Sequence, residues 1–446
     1  MRIKIIESEK FAYIFESAIG IKLNRPITGI CTDSRECKNG DLYISLIGSK
    51  QNGNHFLPEV EKKGALAALV SKKGNGLNIQ QIVVQSPRDS ISQLANVWRN
   101  QFDIPVIAIT GSNGKTSTKD LLVHVLLKKF NVHATKGNFN TSIGLPLTLL
   151  ELTESHDISV IELGANQIGD IENLCNISNP THGLITNIAP AHFEGFGSMQ
   201  AIIKTKGALF KHLKNGISFV NITDDNVASI KILGKKITFG VTPDCDYSAD
   251  IHHEENGTLS ITIDNKDILT SSRNLSFIKN SIAVFSIAKT IGMKWEDIKF
   301  QIKSFKPPSG RCQVKKFDKI TVIDDTYNAN LVSCIAALEY LNAFSDNGRK
   351  IFVFGDMLEL GELSTKQHLK VGEKCKELNL DFVYTFGDES KVTHDVLSGK
   401  SRKSHFNSKL NLISKLKQDL KPGDKVLFKG SRGMEMDNII SEVFKT

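Results

Sequence analysis

The segment Ala108-Ile-Thr-Gly-Ser-Asn-Gly-Lys-Thr116 carries the strongest chemical signal in the chain. An apolar run, Pro105-Val-Ile-Ala-Ile109, enters a glycine turn, and a helical pattern follows directly. Backbone N–H groups in such a turn and at the helix start converge on one point, which suits a phosphate. Lys115 can neutralise terminal phosphates, and the Thr116 hydroxyl can ligate Mg2+. The general pattern G-x-x-x-x-G-K-[ST] calls for a glycine where Ile109 stands; Gly111 makes a shorter variant of the turn.

Three further residue types could join that chemistry. Glu162 ends the apolar run Ile158–Ile161, at the carboxyl edge where open α/β sheets bind ligands. A buried, unpaired carboxylate there is costly, and a Mg2+ ion removes the cost; the alternative is a surface or salt-bridged glutamate. His192 lies in the loop after the strand signal at 183–188; taken alone, a lone histidine is more often a hydrogen-bonded structural residue than a ligand. Lys204 and Lys206 sit in a helical stretch, on different faces, and taken alone both read as solvated helix lysines.

At the glycine turn the sequence begins to resemble the Mur ligase family, whose loop has the same short Thr-Gly-x-Asn-Gly-Lys-[Thr/Ser] form. Further segments resemble that family in the same order: Thr135-Lys-Gly-Asn-Phe-Asn-Thr-Ser-Ile-Gly-Leu-Pro146, Ile161-Glu-Leu-Gly-Ala-Asn166, Asn187-Ile-Ala-Pro-Ala-His-Phe-Glu-Gly-Phe-Gly197 and Lys204-Thr-Lys-Gly-Ala-Leu-Phe210. Asp324-Asp-Thr-Tyr-Asn-Ala-Asn330, Phe354-Gly-Asp-Met-Leu-Glu-Leu-Gly361 and Lys429-Gly-Ser-Arg-Gly-Met-Glu-Met436 narrow it to the branch that adds D-alanyl-D-alanine. In the first hundred residues, Asp33-Ser-Arg35 and Gly40-Asp-Leu-Tyr-Ile-Ser-Leu-Ile-Gly48 fit as well. Thr141 stands where the family usually has a second Asn, and Leu331 replaces the usual Pro after Asn-Ala-Asn. Asn52-Gly-Asn-His55 only loosely matches the usual Asp-Gly-His, and no His-Asn pair precedes Asn280.

The resemblance covers nearly the whole chain. It implies a cytoplasmic, ATP-dependent ligase that joins D-alanyl-D-alanine to a UDP-N-acetylmuramoyl tripeptide through an acyl phosphate in peptidoglycan precursor synthesis. The implied ATP contacts are Gly111, Ser112, Asn113, Gly114, Lys115, Thr116 and Ser117, with Asn280, Arg311, Asp325 and Asn328; Tyr327 matches a nucleotide-side position too. Ser34, Arg35, Asn138, Asn140 and Thr141 are the implied substrate contacts. Thr116, Glu162, His192 and Lys206 are the implied ligands of two Mg2+ ions, with Lys206 as a carbamate rather than Lys204. Lys115, Glu162, His192 and Lys206 form the implied catalytic set.

These residues need a scaffold, and the apolar patterning predicts an α/β protein. The 446 residues are too many for one core and suggest about three domains at roughly 150 residues each. Residues 1–103 carry short apolar runs, Leu42–Leu46, Ala67–Val70 and Ile82–Val84, and read as a small α/β domain that the resemblance assigns to the UDP-sugar. Residues 104–306 alternate strand and helix signals: strands at Pro105–Ile109, Ile158–Ile161, Gly183–Thr186 and Ile217–Val220, with an amphipathic stretch at Asp120–Phe130. That alternation predicts a central, mostly parallel, doubly wound sheet, here the ATPase domain. Polar–apolar alternation over Tyr247–Thr270, around Asn256-Gly257, predicts a hairpin added at a sheet edge. Pro307-Pro308-Ser309-Gly310 reads as a linker. Residues 311–446 restart the alternation at Ile320–Ile323, Ile351–Phe354, Phe382–Thr385 and Val426–Phe428, which fits a C-terminal Rossmann-like domain. Arg311 lies beyond the linker, so it is expected to reach ATP only when the third domain closes.

Composition bounds the alternatives. Apolar residues make up 40% and charged residues 23%, ordinary for a globular enzyme. The net charge of +8 is mild for this length; it is compatible with anionic nucleotides. The densest basic run, Lys400-Ser-Arg-Lys403, has only Phe406 nearby and reads as solvated surface, so no nucleic-acid binding is expected. Seven cysteines, an odd number without C-x-x-C spacing, fit a reducing compartment. Met1–Tyr13 mixes charges and lacks the apolar core of a signal peptide. No apolar run approaches the roughly 18 residues of a membrane span. A monomer acting on small molecules is expected. The rivals are a Mur ligase adding another amino acid, a folylpolyglutamate synthase-like ligase, and a catalytically inactive nucleotide-binding regulator. The first would show an Asp-Asn-Pro-Arg type loop if it added a diamino acid, the second normally lacks the first domain, and the third would have lost one of Lys115, Glu162, His192 or Lys206.

Overall fold

The computed structural model describes all residues except 49–50, 191–192, 256, 271, 345–347, 399–401 and 446. Among the described residues twenty strands form three sheets, each flanked by helices. The first sheet holds Arg2–Lys4 (β1), Gly29–Cys31 (β2), Asp41–Ile44 (β3), Ala67–Val70 (β4) and Gln80–Val83 (β5), side by side in chain order. β1 runs antiparallel to β2, and the other neighbours are parallel.

The second sheet is built from Val106–Thr110 (β6), Val132–Ala134 (β7), Ile158–Glu162 (β8), His182–Ile185 (β9), Ile217–Asn221 (β10), Lys235–Gly240 (β11), Tyr247–His253 (β12), Leu259–Ile263 (β13) and Lys266–Leu269 (β14). Their spatial order is β14-β13-β12-β11-β10-β9-β6-β8-β7. The strand order reverses around β6: the chain builds β7 and β8 on one side of it, then crosses to β9 on the other. Such a reversal splays the connecting loops apart and leaves a crevice at the carboxyl edge. Every residue of β6 is buried, and its side chains alternate between two cores. Val106 and Ala108 join Leu145, Leu149, Ile202 and Leu209, while Ile107 and Ile109 join Leu121, Leu122, Val125 and Phe285. That two-residue alternation is how a parallel strand fills both faces of a doubly wound sheet.

The predicted hairpin is present as β12 and β13, antiparallel, and β14 extends it into a meander. Asp264 and Asn265, both in the left-handed region (φ 53° and 57°), make the β13–β14 turn. Gly257 lies in the β12–β13 turn; Asn256 is outside the described residues.

The third sheet contains Gln313–Phe317 (β15), Ile320–Asp325 (β16), Lys350–Gly355 (β17), Phe382–Phe386 (β18), Arg402–Phe406 (β19) and Lys425–Lys429 (β20), in the order β15-β16-β20-β17-β18-β19. Only β15 is antiparallel to its neighbour. β20 sits between β16 and β17, so the last residues of β16 and β20, Asp325 and Lys429, are register partners. The basic run read as solvated surface partly falls in edge strand β19; Arg402 and Lys403 are exposed there, and the remainder is outside the described residues.

The first and second sheets share one apolar core. Phe11 and Trp98 belong to the same cluster as Leu145, Leu149 and Leu152, and the Trp98 indole donates to the Leu152 carbonyl at 3.1 Å. No helix or strand crosses 305–312, where Gly310 and Cys312 both take positive φ (76° and 55°). All seven cysteines are free, and among the described residues no helix is long and apolar enough to cross a membrane.

Candidate active site

The crevice at the carboxyl edge of the second sheet is a cleft of about 1460 Å³. Four strand ends feed it: the loop after β6, Glu162 at the end of β8, Thr186 and Asn187 after β9, and Asp325 from the third sheet. Ser112, Asn113, Gly114, Lys115, Thr116, Ser117, Asn138, Asn140, Thr141, Asn280, Arg311, Asp325 and Asn328 all line it.

The loop is built for close approach. Gly111 has φ 147°, and a Cβ there would lie 1.9 Å from the Thr186 hydroxyl oxygen. Gly114 has φ 80° and caps the helix Lys115–Leu126 without any side-chain cap, so the first N–H groups stay directed at the cleft. Asn280 packs on Gly114, its Oδ1 3.2 Å from where a Cβ would sit. Asn187 Oδ1 accepts from the Asn113 N–H at 3.0 Å, and Thr186 Oγ1 donates to the Asn113 carbonyl at 2.6 Å, so β9 holds the loop rigid.

Lys115 Nζ donates to the Gly111 carbonyl at 2.8 Å. Withdrawal from water pushes its pKa below the ordinary lysine value, Glu162 acts against that, and Arg311 adds to it. Glu162 is 2% exposed. Its Oε1 accepts from Asn140 Nδ2 at 2.6 Å, and its N–H donates to the Thr135 hydroxyl at 3.0 Å. Its Oε2 is buried with no hydrogen-bond partner among the described residues. An orphaned carboxylate oxygen facing a polar cleft fits a hard cation that binds through oxygen, and the Thr116 hydroxyl in the same cleft is a second oxygen donor.

Lys206 corrects the reading of a solvated lysine. On the helix Met199–His212 it is only 3% exposed, whereas Lys204 is exposed. Lys206 Nζ donates to the Gly111 carbonyl at 3.1 Å. Burial, with Lys115 beside it, drives its pKa well below the ordinary lysine value. A periodicity reading could have found this: Ile202, Lys206, Leu209 and Phe210 share the buried face of that helix. His192 lies outside the described residues.

The third sheet already touches the loop. Arg311 Nη2 donates to the Thr116 hydroxyl at 3.0 Å, and the guanidinium stacks on the Tyr327 ring at 3.7 Å. Asn330 Nδ2 donates to Asn113 Oδ1 at 2.7 Å. Arg311 was expected to reach the nucleotide side only when the third domain closes; here its guanidinium already bonds the Thr116 hydroxyl. Asp325 does not face the cleft as a free carboxylate: it pairs with the buried Lys429 ammonium and accepts from the Cys312 N–H. Burial favours the neutral Lys429 amine, but the Asp325 carboxylate beside it outweighs that and raises the Lys429 pKa. Asn187, Asn330 and Lys429 stand in segments that sequence comparison singles out, yet nothing in their spacing announces these roles. Leu331 is the first residue of the helix Leu331–Asn342, behind an Asn330–Ser333 capping box, so its replacement of Pro removes only a preset φ.

Ser34 and Arg35 are not brought into the cleft. They form a 3-10 turn after β2, where Ser34 Oγ donates to Glu59 and the exposed Arg35 pairs with Asp33. Lys63 Nζ holds the turn from below, donating to the Ser34 and Arg35 carbonyls at 2.7 and 3.3 Å.

Family models match most of the chain: the Mur ligase middle domain over residues 109–304, the Mur ligase glutamate ligase domain over 310–432, and the Mur ligase catalytic domain over 26–105. The UDP-N-acetylmuramoyl-tripeptide–D-alanyl-D-alanine ligase of Haemophilus influenzae is 33% identical, covering 98% of this chain and 97% of its own. The Escherichia coli ligase of the same name is 32% identical over 93% of each chain. Among solved structures, MurF from Acinetobacter baumannii superposes with a TM-score of 0.89 at 28% identity over 98% of both chains. MurF from Thermotoga maritima in complex with ADP gives 0.83 at 29% identity, covering 93% of this chain and 97% of that one. With three matched domain models in family order and relatives at this identity over their full length, the chain belongs to the Mur ligase family.

Proposed function

We infer that this protein is the ATP-dependent ligase that joins D-alanyl-D-alanine to UDP-N-acetylmuramoyl-tripeptide in peptidoglycan precursor synthesis. The observation that carries the reading is the convergence of Lys115, Glu162 and Lys206 on one phosphate loop, beneath a third unit that reaches it through Arg311. The Haemophilus influenzae and Escherichia coli relatives named for this reaction supply the substrates.

In the first step a carboxylate oxygen of the tripeptide attacks the γ-phosphorus of ATP, and the bond to ADP breaks, leaving an acyl phosphate. The amine of D-alanyl-D-alanine then attacks the acyl carbon, loses a proton, and phosphate departs. Charge accumulates on phosphoryl oxygens throughout, so positioning and electrostatic stabilisation dominate. Lys115 and the N–H groups at Gly114–Thr116 meet the terminal phosphates. Arg311, stacked on Tyr327, closes the site from the far side, and Asn280 borders the loop next to the adenosine side. Asp325 and Asn328 act from the third unit: Asp325 fixes Lys429, whose ammonium also donates to the Asn328 carbonyl at 3.0 Å. Thr116 and Glu162 would hold Mg2+, and His192 with a carbamylated Lys206 would hold a second ion; bound there, the ions neutralise phosphoryl charge. The fit for the carbamate is the Lys206 amine itself, buried and biased toward the neutral form that reacts with CO2. Asn138, Asn140 and Thr141 contact the peptide end of the substrate. Ser34 and Arg35 contact its UDP end, which places the nucleotide sugar across the first and second sheets. The residue boundaries 1–103, 104–306 and 311–446 are the domains of this reading, and the cytoplasm is its location.

The test is a phosphate-release assay. Release should need ATP, Mg2+, UDP-tripeptide and D-alanyl-D-alanine together; equal rates with a single amino acid in place of the dipeptide would overturn the substrate assignment.

A further inference from the structure

Among the described residues one group of three His, Cys, Asp or Glu side chains is placed closely enough to hold a metal ion: Cys31, Cys37 and Asp41, whose sulfur and oxygen atoms lie within 4.8 Å of one another. Its composition suggests a metal site, but Asp41 is spent. Its two oxygens accept from Arg2 Nε and Nη2, each at 2.8 Å, and from the Lys38 N–H at 2.9 Å. What remains is a pair of buried thiols, Cys31 fully enclosed and Cys37 6% exposed. Cys31 ends β2, and Cys37 is the C-cap of the 3-10 turn Ser34–Glu36, its N–H donating to the Ser34 carbonyl at 3.3 Å. The two cysteines therefore bracket the turn that carries Ser34 and Arg35.

We propose that Cys31 and Cys37 form a reversible thiol–disulfide couple, oxidised by a hydroperoxide, that governs the grip of the Asp33-Ser34-Arg35 turn on the UDP-sugar. The effect on substrate rests on the reading of that turn given above. Cys37 is the attacking sulfur: it is the thiol with residual access, its sulfur lies within 4.8 Å of the Cys31 sulfur, and the neighbouring Cys31 thiol favours its thiolate, as do the Lys63 and Arg2 cations, against burial and Asp41. The Cys37 thiolate attacks one oxygen of hydrogen peroxide; the O–O bond breaks, and the departing hydroxide takes up the proton that Cys37 shed, leaving water and a sulfenic acid. Cys31 sulfur then attacks Cys37 sulfur, the S–O bond breaks, and the hydroxyl leaves with the Cys31 proton as a second water. Two electrons pass from the sulfur pair to the peroxide. The new bond draws Cys37 inward, and because Cys37 caps the turn through Ser34, it drags Ser34 away from Glu59. A transient couple of this kind suits a compartment that otherwise keeps thiols reduced.

The full-length enzyme is treated with hydrogen peroxide, then split between intact-mass and peptide mass spectrometry and steady-state kinetics. The expected result is loss of two hydrogens with a Cys31–Cys37 cross-link, a several-fold rise in KM for UDP-tripeptide with kcat and KM for ATP unchanged, and recovery on adding dithiothreitol. Cys37→Ser should keep the basal kinetics and abolish both the cross-link and the KM shift. Two freely alkylatable thiols after peroxide, oxidation of Cys37 to a sulfinic acid without a cross-link, or stoichiometric metal on the purified protein that is lost in Cys37→Ser would each overturn the couple. A cross-link with unchanged KM would overturn its control of substrate. Arg35→Ala is assayed in parallel: an unchanged KM for UDP-tripeptide there refutes the role of the turn, while the cross-link measurement stands by itself.

Discussion

The side-chain nitrogens of Lys115 and Lys206 donate to the same acceptor, the carbonyl oxygen of Gly111, at 2.8 and 3.1 Å. One lysine comes from the helix that follows the loop, the other from a helix more than eighty residues downstream in the chain. Burial lowers both pKa values; Arg311 adds to the lowering of Lys115 against Glu162, and Lys115 adds to that of Lys206. A lowered value means that Lys206 gives up its proton at a lower pH than an exposed lysine does. Its neutral, CO2-reactive form therefore grows as pH rises through that lowered value. Carbamylation turns the second ammonium into an anion beside Lys115, replacing repulsion with attraction.

Lys206→Ala should consequently lose about 10²-fold or more in kcat, the range for removing a preorganised charge from an active site. Short-chain carboxylic acids such as acetate should restore part of the rate by standing in for the carbamate. Lys204→Ala should be mild, since Lys204 is exposed on the opposite side of the helix. Steady-state rates for both variants, with and without added acid, decide the matter; a mild Lys206→Ala beside a dead Lys204→Ala would put the ligand on the wrong lysine.

Lys115→Ala should abolish turnover, by about 10²-fold or more, while leaving the fold intact. Its amine bonds only carbonyls of the loop and packs against no core cluster. The check pairs the kinetics with thermal unfolding: activity falls while Tm changes little, because Lys115 is only half-buried and its amine bonds loop carbonyls alone. Near-wild-type turnover would refute the phosphate-loop assignment.

Much of this site could be read in advance because it sits at the ends of unbroken apolar strands. β4 and β6 show themselves as Ala67–Val70 and as the run into Ile109, and their ends fix where the loops must be. Edge strands were hidden for the same reason inverted. β15 alternates intermediate and exposed residues and β19 is mostly polar; each is a strand because a neighbour pairs with it, and pairing leaves no mark in local composition. β14 escaped because its turn uses Asp264-Asn265 rather than a glycine pair. The Asp325–Lys429 pair spans more than a hundred residues and exists only because β20 inserts between β16 and β17. Strand order of that kind is a tertiary fact.

Arg311 bridges the linker to Thr116, so closure should depend on it. Hydrogen bonds to charged groups contribute about 1.5–3 kcal/mol, which makes Arg311→Ala about ten- to a hundredfold weaker in kcat/KM for ATP. Asn330 on Asn113 and the contact of Arg273 with the Phe344 ring are further links between the second and third units. Small-angle scattering should show an open–closed equilibrium about residues 305–311, with an ATP analogue plus UDP-tripeptide compacting the protein. Arg311→Ala should be more expanded than wild type without ligand. A scattering curve that neither ligands nor the substitution alters would mean that the units do not swing.

His133 supplies a pH test independent of the chemistry. On β7 it is buried between the Ser159 hydroxyl and the Thr148 carbonyl, both at 2.8 Å from its ring nitrogens. Burial pushes its pKa down to about 3, against 6.5 for an exposed histidine. Between those values the unfolded chain binds a proton that the native protein refuses. Native stability from this residue is thus complete above pH 6.5 and is lost as pH falls toward 3, by about 1.4 kcal/mol per pH unit. At neutral pH His133→Asn should be clearly destabilising, because it forfeits a buried hydrogen bond and some packing. At pH 4.5 the wild type has given up roughly 2–3 kcal/mol by this linkage and the variant has not, so the gap in Tm between them should narrow or vanish. Thermal unfolding of the two proteins at both pH values measures it directly. An equal Tm gap at neutral and acid pH would mean that His133 accepts its proton inside the fold as readily as in water.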